Sequence, residues 1–109
     1  METITIERIK ELQEEYQLTK AQNWLNTGDI WKLEGYYGRT ASEMLESGIL
    51  ILPEKRTSDY YGNTIPARTD LKAGTTGTLE LAQEFWTEIE NGNPSTIEYV
   101  EQFRGLLEF

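Results

Sequence analysis

Residues 53–77 read PEKRTSDYYGNTIPARTDLKAGTTG, and the fold turns on how they are read. The chain on either side carries helical periodicity and excess negative charge; this stretch carries neither. Its prolines, its glycines and the turn-forming run Asp59-Tyr60-Tyr61-Gly62-Asn63 predict loop or short strand. Lys55, Arg56, Arg68 and Lys72 outweigh Glu54, Asp59 and Asp70, a basic island in a chain of formal net charge −9. A long irregular segment of distinct chemistry inside a compact domain is more often functional than accidental.

Immediately upstream, the apolar run Ile49-Leu50-Ile51-Leu52 is ended by Pro53 and fits a buried strand. Its expected partner is Thr64 to Leu71, with Gly62-Asn63 as the turn and Pro66 confining that strand to an edge. Two strands alone are marginal, so helices must cover them.

Further out the pattern is helical. Ile6, Ile9, Leu12 and Tyr16 predict a helix over 5–16, with Thr5 as N-cap and Glu7 in the first turn. A short helix over 18–25, capped by Thr19, follows and ends at Asn26-Thr27-Gly28. A third is expected from Asp29 to Ser47, stopped by Gly48. Gly35 and Gly38 inside it signal either close approach of another backbone or a break. Leu79, Ala82, Trp86 and Ile89 form the inner face of a helix over 78–90, ended by Asn91-Gly92. Asn93 as cap and Pro94 at the first helical position open the last helix, whose stripe is Ile97, Val100, Phe103 and Leu107. The expected fold is therefore mainly α: one domain over 1–109, four to five helices around one core, with a short β-hairpin or extended excursion at residues 49–71.

Composition bounds the chemistry. There is no Cys and no His, which excludes disulfides, thiolate metal sites and every Ser-His or Cys-His nucleophile pair. No apolar run approaches the ~20 residues that span a bilayer. Met1-Glu2-Thr3-Ile4 lacks the basic and apolar regions of a secretory signal, so the expected location is the cytoplasm. Neither a calcium-binding loop nor a P-loop is present; Gly74-Thr75-Thr76-Gly77 lacks the lysine and the spacing. A non-enzymatic role without cofactor or metal is expected.

Three constellations remain. Glu80, Glu84 and Glu88 recur every four residues, which sets them on one helix face about 5–6 Å apart. Glu7, Glu11 and Glu14 or Glu15 make a similar row, offset by Arg8 and Lys10. Such rows either imitate a phosphate array or simply solvate the domain. Residues 78–109 hold seven acids and one base, which repels nucleic acid and attracts a basic partner. Second, Tyr60, Tyr61, Arg56 and Arg68 are side chains that dominate interface hot spots; the alternative has the tyrosines covering the core and the arginines paired with Asp59 and Asp70. Third, residues 19–32 have the outline of a helix-turn-helix, but the second helix offers only Lys32 against Asp29 and Glu34, too few donors for DNA. Trp24, Ile30 and Trp31 read as core.

The runs Leu33-Glu34-Gly35-Tyr36-Tyr37-Gly38-Arg39, Glu46-Ser47-Gly48, Asp59-Tyr60-Tyr61-Gly62-Asn63, Pro66-Ala67-Arg68 and Lys72-Ala73-Gly74-Thr75-Thr76-Gly77-Thr78 resemble a pattern in small proteins of phage and prophage type. The resemblance implies shared glycines, a shared Tyr-Tyr-Gly-Asn turn and service to a phage against its host; it transfers no functional residue. The expected function is a protein-binding inhibitor or modulator acting in the host cytoplasm. Glu80, Glu84, Glu88, Tyr60, Tyr61, Arg56 and Arg68 would meet a basic, nucleic-acid-binding host protein and occlude it, with no direct nucleic acid or membrane contact. The alternatives are an assembly protein, homodimeric for example, that oligomerises through Leu106, Leu107 and Phe109, and a small-ligand or nucleotide binder using the 53–77 loop.

Overall fold

A computed structural model describes residues 3–107 of the chain. Helices α1 (Ile6–Glu15) and α2 (Thr19–Thr27) are followed by a 3-10 turn at Asp29–Lys32 and then α3 (Gly35–Ser47). Strands β1 (Thr57–Ser58) and β2 (Thr64–Ile65) form an antiparallel hairpin with Thr57 opposite Ile65. A second 3-10 turn at Arg68–Asp70 leads to α4 (Leu79–Glu90) and α5 (Pro94–Glu101). The architecture is mainly helical: five helices and one small hairpin. Its radius of gyration, 13.2 Å, is that of a compact chain of this length.

Local signals set most helix ends. Thr5 Oγ1 accepts the Arg8 N–H at 3.1 Å, and Asn93 Oδ1 accepts the N–H groups of Ser95 and Thr96 ahead of a helix that begins at Pro94. The cap of α2 is Leu18 rather than Thr19, and it makes no side-chain bond. Gly48 ends α3 in the left-handed region, φ 97°, which glycine adopts without the Cβ penalty. A Cβ there would also stand 2.8 Å from the Leu81 carbonyl oxygen and 3.0 Å from Phe85 Cβ, so Gly48 lets α3 and α4 touch.

The helix expected over 29–47 is broken. The 3-10 turn at Asp29–Lys32 and the extended Leu33-Glu34 precede α3, which starts at Gly35. Gly38 instead accommodates a side chain, with the Trp31 ring 3.7 Å from where its Cβ would lie. A four-residue 3-10 turn also removes the would-be DNA-reading helix. Ile30 is fully buried, and Trp24 and Trp31 pack half-buried against the core.

The second correction concerns Ile49–Leu52. The run is buried, as an inner strand would be, yet it pairs with no strand. Helix side chains take the place of the ladder. Gln22 Oε1 accepts the Ile51 N–H at 3.0 Å, and Gln22 Nε2 donates to the Ile51 carbonyl at 2.7 Å. Gln13 Nε2 and Trp86 Nε1 donate to the Ile49 carbonyl at 3.0 and 3.3 Å. Arg68 Nη1 donates to the Leu52 carbonyl at 3.0 Å, and the Leu52 N–H donates to the Gly77 carbonyl. Buried peptide groups must find partners; here side chains of α1, α2 and α4 and Arg68, with the Met44 and Gly77 carbonyls, supply them. The hairpin partner of β2 is consequently β1, downstream of Pro53, and the segment after Pro66 turns into the second 3-10 turn.

Around this central segment the core gathers Ile9 and Leu12 of α1, Leu25 of α2, Met44 and Leu45 of α3, and Val100 of α5, with Trp86 of α4 fully buried beside them. Arg8 bonds Glu90 through Nε and Nη2, at 3.1 and 2.7 Å, tying α1 to the end of α4. Arg104 lies 4.7 Å above the Tyr16 ring and donates to the Glu15 carbonyl at the end of α1.

Candidate functional site

The inward stripe of α4 fixes what its other side must do. With Ala82, Trp86 and Ile89 buried, a rotation of 100° per residue turns Glu80, Glu84 and Glu88 outward, and all three are exposed. They rim an open groove of about 690 Å³ whose half-buried apolar side chains are Leu81 and Phe85, and whose far wall includes Ser47 of α3. None of the ion pairs among the described residues reaches this row. Arg8 serves Glu90 and Glu11, Arg104 serves Glu101, Arg56 serves Asp70, and Arg68 serves Glu54. Glu88 accepts a neutral hydrogen bond from Asn93 Nδ2 at 2.6 Å. The row places one carboxylate about every 6 Å of helix.

Helix α3 carries the negative surface further. Glu43 and Glu46, both exposed, lie on it one turn apart. Tyr99 of α5 reaches Ser47 and Glu43; burial first, then the Glu43 charge, raises its phenol pKa, and Glu46 acts in the same direction. Ser47 thus meets Tyr99 and also lines the α4 groove from the α3 side. The spacing of the α4 row does not point to Glu43 and Glu46, whose surroundings are set by the packing of α3 against other elements.

On its other flank α3 forms a second open groove of about 870 Å³ with the 3-10 turn and the hairpin tip. Glu43 and Glu46 line one wall; Asp59, Tyr60 and Tyr61 line the other. The two tyrosines are 75% and 84% exposed, so they do not cover the core. Their rings meet edge to face, with centroids 5.3 Å apart. Asp59 builds the tip from within: its Oδ1 accepts the N–H groups of Tyr61 and Asn63 at 2.9 and 2.8 Å, and its Oδ2 accepts Asn63 Nδ2. These bonds, the Asn63 N–H above all, hold its pKa below the ordinary carboxylate value. The Tyr60 N–H donates to the Trp31 carbonyl at 3.3 Å and docks the tip on the body.

The arginines of the basic island do different work from the tyrosines. Arg56 forms a two-point pair with Asp70, at 2.8 and 3.0 Å, and together with the Ala67 N–H it lowers the Asp70 pKa to about 2. Arg68, only 17% exposed at its side chain, is spent on Leu52 and Glu54. Of the expected contact residues, the three glutamates and two tyrosines thus present free polar or aromatic surface, whereas both arginines are engaged within the chain. The apolar tail is also divided: Leu107 is buried, Leu106 is 42% exposed, and Phe109 lies outside the described residues.

No group of three or more acidic side chains among the described residues is arranged to hold a metal ion, and no described helix is long and apolar enough to cross a membrane. No protein-family model, curated protein or solved structure matches this chain.

Proposed function

We propose that this protein is a non-enzymatic binding module that occludes a basic, nucleic-acid-binding surface of another protein, acting in the cytoplasm as a phage-type modulator of its host. The observation that carries the reading is the row Glu80, Glu84, Glu88: exposed, on one rigid helix, and without an internal cation among the described residues. A DNA strand presents one charge per ~3.4 Å, against one per ~6 Å along α4. A single row is too sparse to imitate it. Glu43 and Glu46, exposed on the neighbouring helix α3, add carboxylates to the acidic surface beyond the row. The helix fixes the spacing of the carboxylates, so a partner's arginines and lysines meet them in register.

The test is charge reversal. The double variant E84K/E88K gives up the Glu88–Asn93 hydrogen bond but leaves the buried face of α4 intact; it remains folded by its melting curve and loses capture of the partner from host lysate. Raising salt from low to high releases the wild-type complex. Capture by the variant equal to wild type, or capture indifferent to salt, refutes the electrostatic reading.

A further inference from the structure

We infer that the groove between α3 and the hairpin tip is an arginine-binding subsite: a guanidinium of the bound partner lodges there, stacked on Tyr60 or Tyr61 and paired with Glu43 and Glu46. The inference rests on the basic-partner reading and adds which cation is selected, and where. Four of the five large hydrophobic side chains exposed among the described residues, Leu33, Tyr36, Tyr60 and Tyr61, cluster on or beside this groove. Exposed aromatics concentrated at one place mark an interaction surface rather than scatter.

The polar lining selects the occupant. Four carboxylates, Glu34, Glu43, Glu46 and Asp59, face two cations, Lys32 and Arg39. Asp59 is consumed by the turn, but none of the other three takes part in an ion pair among the described residues. Arg39 folds back over Gly35, its Nη1 2.7 Å from where a Cβ of that residue would sit, so its charge lies toward the start of α3. An anionic ligand would meet the excess of carboxylates; a cationic one is drawn in. Between the two cationic side chains, the planar guanidinium both stacks on an aromatic face and pairs with a carboxylate at two points, whereas the compact, strongly hydrated ammonium of lysine does neither as well.

The experiment titrates the full chain, isotopically labelled, with blocked oligo-arginine and oligo-lysine peptides of equal length and charge, following amide and tyrosine ring resonances. The arginine peptide is expected to bind about three- to tenfold more tightly and to shift Tyr60, Tyr61, Glu43 and Glu46. The variant Y60A/Y61A, folded because both rings are in solvent, removes that preference while still binding both peptides. The variant E84K/E88K weakens both peptides and keeps the preference. Equal affinity for the two peptides, or a preference that survives Y60A/Y61A, overturns the subsite and leaves the basic-partner reading standing. Failure of both peptides to bind overturns both.

Discussion

Replacing Gln22 by leucine tests whether side chains truly stand in for a missing strand. Gln22 is 8% exposed, and it is the partner of both peptide groups of Ile51, its oxygen 3.0 Å from the N–H and its nitrogen 2.7 Å from the carbonyl. Leucine has similar bulk and no polar atom. The substitution orphans one buried donor and one buried acceptor, each worth roughly 1–3 kcal/mol when left unpaired. Gln13 retains the Ile49 carbonyl, and the Asn26 side chain turns to solvent. Burial of the leucine returns roughly 1.5–3 kcal/mol. At mid-range the two orphaned groups outweigh that return, and the expected net loss is about 2 kcal/mol. A chain of this size shifts its melting temperature by roughly 4 °C per kcal/mol, so melting falls by about 8 °C. Urea unfolding followed by tryptophan fluorescence reads the loss directly. A change below ~1 kcal/mol, within the range of ordinary surface substitutions, would show that Ile51 finds its partners elsewhere and would refute the clamp.

Two further predictions concern the frame. Gly48→Ala incurs the left-handed penalty of roughly 1–2 kcal/mol and also pushes against the Leu81 carbonyl, whereas Gly62→Ala, with φ 81° and nothing within 4 Å, incurs only the first; equal losses in parallel denaturations would refute the steric contact between α3 and α4. The Asp70 carboxyl has a folded pKa near 2, below its ordinary 3.8. Its contribution is complete above 3.8 and disappears as pH falls through about 2, so Asp70→Asn should flatten the loss of stability across that window; an unchanged acid limb in pH-resolved melts would refute the role of the Arg56–Asp70 pair.

What could be read from the chain was what neighbouring residues decide. The caps at Thr5 and Asn93-Pro94, the stop at Gly48 and the outward row on α4 each depend on residues within a turn or so, and each stands in the structure. The division of the 29–47 segment was foreshadowed by its glycines, though the break falls at Leu33-Glu34 rather than between them. The strand at 49–52 was misjudged for a definite reason. Its hydrogen-bond partners Gln13 and Gln22 lie 29 to 36 residues away and pass for ordinary polar positions on amphipathic helices. Their burial was the missing signal. The same limit hid Glu43 and Glu46, whose place on the wall of the groove facing the hairpin tip depends on tertiary packing. It also hid the engagement of Arg68 with the Leu52 carbonyl, 16 residues away in the chain.

The hidden course of Ile49–Leu52 bears on how this chain can fail. An uncharged, β-prone run of this kind is a nucleus for fibrillar stacking wherever its amides are free to recruit an identical neighbour. Here the Met44 and Gly77 carbonyls and Gln22 take up those amides, two glutamines, a tryptophan and an arginine hold carbonyls of the run, and the visible hairpin strands are only two residues long. Loosening that grip would therefore do more than lower stability: it would uncover an adhesive segment, and the molecule would leave solution as aggregate sooner than as monomeric coil.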